Sequence, residues 1–320
     1  MIGGQLQAIM DQVLSSQSVI DKINIAATHV HIGGSNSYTD PITGDTHRVA
    51  IGDDCAAIPD GQGGYLLFAA EGMISSFTES SPWFAGYSAV MVNISDVCAM
   101  GGLPMALTDV LWVKADAQAM EIWAGMQAAS KAYGVPIVGG HTCYGADQKQ
   151  LAVSILGRAG KLLSGFDARP GESLMMAVDL NGQYYENYPF WNASTTATPV
   201  HLQKLSRLMY QLAEQNLSRA AKDISMGGII GTLAMLMQTS QVGTSVQLEH
   251  IPKPANVPWE KWLVSFPSFG YLFTCKKQDE HKVQTLFSSA QVSCAKIGEI
   301  SDGSSMLINY RNEQMNINLK

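Results

Sequence analysis

No apolar stretch of this 320-residue chain is long: the two longest are Tyr65–Ala70, which ends at Glu71, and Ile229–Met237, which opens after Gly228. Both fall far short of the roughly 18 residues that cross a bilayer. The chain is therefore expected to bury many short strands and helices in layers, a mixed α/β architecture, and not to sit in a membrane. Hydrophobic residues make up 46% and charged residues 15%, against the roughly 25% charged share of an ordinary soluble chain. That excludes extensive disorder. Twenty Lys and Arg against 27 Asp and Glu give a net charge of −7, and no basic run is present to neutralise a phosphodiester backbone, so nucleic acid is not an expected partner. Asp11 interrupts the first apolar pattern and no basic segment precedes it. No secretory signal is read there, and a cytoplasmic location is expected. The five cysteines, Cys55, Cys98, Cys143, Cys275 and Cys294, are widely spaced and never form a CxxC pair, which predicts reduced thiols without a disulfide framework or zinc site.

Leu6, Ile9, Met10, Val13 and Leu14 recur at helical spacing and predict a helix over residues 4–16. The stretch from His31 to Thr46 has no clear assignment. Arg48–Ile51 and Tyr65–Glu71 read as strands. A helix follows with Ser81 as cap and Pro82 at its first position, ended by Gly101-Gly102. Met105–Lys114 reads as a strand, Asp116 as the cap of a helix to Tyr133, and Val135–Val138 as a short strand before a loop, Gly139-Gly140-His141-Thr142. Leu151–Ala159 and Ser173–Val178 read as further strands, with Asp167–Gly171 as punctuation between domains. Asn181–Pro199 reads as a long aromatic loop, Val200–Gln215 as one helix, and Lys222–Gly228 as the approach to a very apolar helix. The expected divisions are 1–47, 48–165 and 166–320.

Several carboxylates stand where a surface charge would not. Glu71 follows Leu-Leu-Phe-Ala-Ala, Asp96 lies inside an apolar helix pattern, and Asp109 interrupts Met-Ala-Leu-Thr-Asp-Val-Leu-Trp. Buried acids are costly unless paired, hydrogen-bonded or bound to a metal. Together with Asp53, Asp54 and Asp223, each beside glycines, they supply oxygen ligands suited to hard divalent cations. For any one of them, a helix cap or buried salt bridge is an equal reading. Glycine lets backbone N–H groups approach a phosphate, and a site holding both acids and phosphates needs bridging cations. The chain has neither GxxxxGK[ST] nor GxGxxG, so neither a P-loop nor a Rossmann site is supported.

Five short segments carry a family resemblance. Ile51-Gly52-Asp53-Asp54-Cys55-Ala56-Ala57-Ile58 is similar to the GDDAAV signature of thiamine-monophosphate kinase and selenophosphate synthetase. Val92–Pro104 resembles their N-x-S-D-x-x-A-M-G-x-x-P segment, and Val138–Thr142 sits where they carry GGDT or GGET. Arg169-Pro170-Gly171-Glu172 resembles the PGD that opens their second domain, and Lys222–Gly228 their D-x-S-D/R-G-G/L. Over residues 48 to about 300 the order and spacing match the AIR synthase-like superfamily, which also includes a hydrogenase maturation protein that activates a carbamoyl group; the match is nearest to a bacterial branch of unassigned substrate.

The resemblance implies two α/β (α+β) domains, the N-terminal one a mixed sheet with helices that forms a homodimer, and use of ATP with Mg2+ to phosphorylate a small molecule, a phosphate ester or a carbonyl or amide oxygen. It implies metal ligation by Asp53, Asp54, Glu71, Asp96 and Asp223, and nucleotide contacts by Gly52, Asn93, Ser95, Gly139, Gly140, Thr142, Lys222 and Ser225. Two residues depart from the pattern. Glu71 stands where several relatives have aspartate, which keeps the charge. His141 replaces the acid of GGDT or GGET; neutral imidazole is a weak magnesium ligand, so His141 is a candidate general acid/base or phosphate donor, or simply a loop histidine. The alternative function is a nucleotide-binding regulatory or scaffolding protein that has lost turnover. His29 and His31 could share a strand face, the segment from His31 to Ser37 with Gly33-Gly34 could close over ATP, and the aromatic loop could be either a substrate lid or a loop packed on itself.

Overall fold

The computed structural model describes residues 4–32 and 35–319. The chain divides into two compact units, one of Met1–Asp53, Leu163–Thr196 and Leu212–Lys320, the other of Asp54–Leu162 and Ala197–Gln211. The elements in order are helices α1 (Gln5–Leu14) and α2 (Gln17–Ile32) and strands β1 (Ser35–Thr39) and β2 (Thr46–Ala50); then β3 (Ala56–Pro59), β4 (Tyr65–Met73), α3 (Ser75–Ser80), α4 (Pro82–Ala99), β5 (Leu103–Val113), α5 (Asp116–Tyr133), β6 (Ile137–Tyr144) and β7 (Gln150–Ala159). They continue with β8 (Ser173–Val178), β9 (Gln183–Tyr184), β10 (Phe190–Asn192), α6 (Pro199–Leu205), α7 (Leu208–Glu214), β11 (Ala221–Asp223), α8 (Gly228–Ser240) and β12 (Gly243–Gln247). The last are α9 (Trp259–Trp262), β13 (Phe266–Pro267), β14 (Gly270–Cys275), α10 (Glu280–Ser288), β15 (Ser293–Ser301), β16 (Ser305–Tyr310) and β17 (Glu313–Asn318).

The smaller unit is a five-stranded sheet in the order β3-β4-β7-β5-β6, antiparallel except for the β5–β6 pair. Side chains alternate across a strand, and in β7 this divides Leu151, Val153 and Ile155, all buried, from Ala152, Ser154 and Leu156, which are half-buried. α4 packs on the buried side against β4, β5 and β7, with α5 beside it. Val97 of α4 fills the space over Gly157, where a Cβ would meet its Cγ1 at 2.4 Å. Glycine also lets α4 and α5 touch: a Cβ on Gly125 would lie 1.8 Å from the Trp83 carbonyl oxygen.

The larger unit holds a seven-stranded sheet, β11-β14-β8-β15-β12-β16-β17, and a small sheet, β13-β10-β9. β8, between β14 and β15, is buried at every position. Leu6, Ile9, Met10 and Val13 of α1 and Val19 of α2 belong to the same core as Leu174, Met176 and the apolar α8. Glu313 on β17 accepts hydrogen bonds from the N–H groups of Gln5 and Leu6 at 3.0 and 2.9 Å, satisfying two donors at the start of α1 and placing negative charge there.

Several expectations are corrected. Ser81 makes no side-chain cap bond, and neither does a cap residue before Asp116, which is itself the first residue of α5. The expected helix over 200–215 breaks into α6 and α7, and the loop over 181–199 contains β9 and β10. His29 and His31 lie in α2, not on a strand; their side chains, like Gly33 and Gly34, lie outside the described residues. Gly139-Gly140-His141-Thr142 is the middle of β6, not a loop. All five cysteines are free thiols, and among the described residues no helix is long and apolar enough to cross a membrane.

Candidate functional site

In the smaller unit the sheet register sorts the candidate residues by face. Glu71 is directly opposite Val153, Val153 opposite Asp109, and Asp109 beside Gly140. Residues opposite one another project to the same side, so Glu71, Val153, Asp109 and Gly140 form one row on the face that α4 covers. Thr142, in register with Leu111, lies on that same side. His141 pairs with Val110 and projects from the other side of the sheet, away from the acids. The register thus puts Glu71 and Asp109 on one face, with Val153 between them, and His141 on the other.

Asp109 is the residue that the family resemblance left out. It is 3% exposed, and neither carboxyl oxygen has a hydrogen-bond partner. Burial among apolar neighbours pushes its pKa up to about 6, with a smaller opposing pull from its own backbone amide. Gly140 makes room for the carboxyl group: a Cβ there would lie 2.1 Å from Asp109 Oδ1. The signal was present as an acid inside an apolar strand string. Its partner in the row, Glu71, is exposed, so the row runs from the interior towards solvent. Asn93, on α4, is fully buried; its Nδ2 donates to the Ala89 carbonyl at 2.8 Å while Oδ1 has no partner. Asp96 is buried on the same helix, and Ser95 and Asp54 are half-buried. Desolvated oxygens without a hydrogen-bond partner, as in Asp109 and Asn93, are of the type that suits a hard divalent cation.

In the larger unit, Asp53 and Lys222 form a buried ion pair at 3.5 Å. Ser164 Oγ donates to Asp53 Oδ2 at 2.7 Å and the Gly165 amide donates to the same oxygen at 2.9 Å. Asp53 was expected among the metal ligands, but here its carboxylate already carries three donors. Gly52, just before it, has φ of 103°, a conformation that favours glycine. Asp223 is buried on β11, and Ser225 Oγ is hydrogen-bonded to Lys22 Nζ. Gly227 and Gly228 then take positive φ before α8 begins. The aromatic segment packs partly on itself and partly on α9: Tyr184 lies edge-on to Trp191, Trp191 edge-on to Trp262, and Lys261 Nζ lies 3.7 Å from the Tyr184 ring centroid.

Residues 52–159 match the model of the AIR synthase related protein N-terminal domain, and residues 164–309 that of the C-terminal domain. The chain belongs to the AIR synthase related family. An uncharacterised protein of Synechocystis sp. is 45% identical over 273 residues, covering 85% of this chain and 84% of that one. Thiamine-monophosphate kinase of Bacillus subtilis is 24% identical over 298 residues, covering 85% and 91%. The fold is shared with T. maritima PurL complexed with ATP, at a TM-score of 0.72 and 20% identity over 83% of this chain. The chain spans 45% of the length of that PurL.

Proposed function

We propose that this chain is an ATP- and magnesium-dependent enzyme that transfers a phosphoryl group to a small molecule, either a phosphate ester or the oxygen of a carbonyl or amide group. The observation that carries this reading is the set of buried oxygens without partners, Asp109 and Asn93 Oδ1, within the AIR synthase related N-terminal domain. Similarity to a named kinase and to a protein complexed with ATP supports it. Within the smaller unit, Asp54, Glu71 and Asp96 are the proposed magnesium ligands, and Asn93, Ser95, Thr142 and the backbone of Gly139 and Gly140 the proposed nucleotide contacts. Within the larger unit, Asp223 is a proposed ligand, Gly52, Lys222 and Ser225 are proposed nucleotide contacts, and Asp53 holds Lys222 in place. Magnesium supplies charge neutralisation of the phosphates. His141 stays a proposed general acid/base or phosphate donor, on the side of the sheet opposite the carboxylate row.

Millimolar ATP with magnesium is expected to raise the melting temperature, since a ligand bound only to the native state stabilises it. ADP release is expected with one member of a panel of phosphate esters, amides and carboxylates. No thermal shift sinks the reading; a shift without ADP release on any acceptor favours the scaffolding alternative, which the replacement of the family's acid by His141 keeps in view. We also propose a cytoplasmic homodimer formed through the sheet side that α4 does not cover, where Phe68 is 51% exposed and Leu66, Leu156, Val110 and Trp112 are half-buried. Sedimentation of Phe68→Asp as a dimer like the wild type would refute that interface.

A further inference from the structure

We propose that β17 is a docking edge for a second copy of this chain: two β17 strands pair antiparallel about a two-fold axis at Asn316 and join two seven-stranded sheets edge to edge. The inference concerns the larger unit alone and does not rest on the phosphoryl-transfer reading.

Three observations support it. First, β17 ends the sheet order, and among the described residues no strand pairs with its outer side, whereas the strand at the opposite end, β11, is three residues long and buried throughout. Exposed edges are ordinarily blunted by charge, proline, a bulge or brevity. None of these protects β17: its six residues pair with β16 without a register shift, Gln314–Leu319 holds no charged residue and no proline, and Glu313 is engaged by the start of α1.

Second, the strand is its own complement. From Gln314 to Asn318 the order polar, apolar, polar, apolar, polar reads the same in both directions. Antiparallel pairing about Asn316 sets that residue against the partner's Asn316, Gln314 against the partner's Asn318, and Met315 against the partner's Ile317. Glu313 then faces the partner's Leu319, so like charges are not set directly opposite one another. Met315 and Ile317 are half-buried at the rim of the core, and the added strand completes their cover. Third, a hydrogen-bonded row of polar side chains runs across the strands to this edge: Gln314 Nε2 donates to Asn309 Oδ1 at 2.9 Å, and Asn309 Nδ2 to Ser245 Oγ at 3.1 Å. In the self-paired register the partner's Asn318 comes next in that row. A two-fold contact uses the same patch twice, and a patch that complements itself selects a second copy as its occupant.

Disulfide trapping in the full chain tests the register. Directly opposed residues of an antiparallel pair have Cβ atoms roughly 4.5–5.5 Å apart, close enough for a disulfide to form with small adjustment. Asn316→Cys is therefore expected to be captured as a covalent dimer on mild oxidation of a dilute sample. Gln314→Cys and Asn318→Cys alone are not, because each lies about four residues, roughly 13 Å, along the strands from its own copy. An equal mixture of those two variants is expected to yield the dimer again. The wild-type chain, with its five cysteines, sets the background; Asn316→Cys trapped no more than that overturns the proposal, and so does Gln314→Cys trapped as readily as Asn316→Cys. Asn316→Lys, at an exposed position, sets two ammonium groups face to face and is expected to halve the sedimenting mass. An unchanged mass overturns the pairing. The smaller unit's contact stands or falls separately, since Phe68→Asp is expected to leave the Asn316→Cys trapping intact.

Discussion

A carboxyl group set in an apolar sheet face carries its desolvation into the pH dependence of folding. Burial raises Asp109 to about 6 in the native chain, whereas an unfolded aspartate titrates near 4. Between those values the native chain holds a proton that the unfolded chain has released, so stability falls as pH rises through about 4 to 6. Above that window the whole cost is present, on the order of 3 kcal/mol. In chelated, metal-free buffer, Asp109→Asn is therefore expected to be at least as stable as wild type at pH 7.5, with the difference vanishing near pH 4. Urea unfolding at the two pH values checks this; a variant less stable at pH 7.5 would mean that the carboxylate has a partner in the apo chain. Asp53 is the opposite case, with Lys222, Ser164 and Gly165 already on it. The sequence showed both as acids in unusual places. It could not separate them, because the difference lies in partners supplied from about 110 and 170 residues away.

At the scale of elements, the long periodic segments were legible: α1, α4 and α5 and strands β4, β5, β7 and β8 fall close to where their patterns place them. Glycine misled. Gly139-Gly140 reads as a loop because glycine punctuates chains, yet within a strand it also marks a close approach by a neighbour, and Asp109 is that neighbour. The α4–α5 contact shows the same use of glycine between helices. Gly86 faces the Ile122 carbonyl, where a Cβ would come within 2.1 Å, and Gly125 faces that of Trp83. Both obstacles are backbone, so no side-chain rotation can relieve them. Gly125→Ala is expected to force the helices apart and cost roughly 1–3 kcal/mol or more, despite alanine's better helix propensity, worth about 1 kcal/mol. Thermal unfolding checks it. A variant as stable as wild type would mean that the helices separate freely and that their close packing is not a constraint.

Over the whole molecule, residues far apart in sequence share a core, which is the part of the architecture least visible in a linear reading. Helical spacing marks α1 as amphipathic but leaves its apolar side without a destination. The structure seats Leu6, Ile9, Met10 and Val13 in the larger unit's core with β8 and α8, while Glu313, near the other end of the chain, caps the helix. Gly4 fits there because a Cβ would meet Glu313 Oε2 at 2.0 Å. Burying a large aliphatic side chain contributes about 1.5–3 kcal/mol, so removing residues 1–15 should cost several kcal/mol, a sizeable part of a domain's usual 5–15 kcal/mol. The loss should fall on the larger unit, because α1 makes its core contacts there. Calorimetry of the truncated chain is expected to show a transition lowered by well over 5 °C, on the usual scale of about 2–4 °C per kcal/mol for a domain of this size. Glu313→Gln should show a small part of the same loss, since it weakens only the charged cap at the start of α1. A truncated chain that melts with the wild type would mean that α1 adds nothing to the core it covers, and that the carboxylate of Glu313 serves some other purpose.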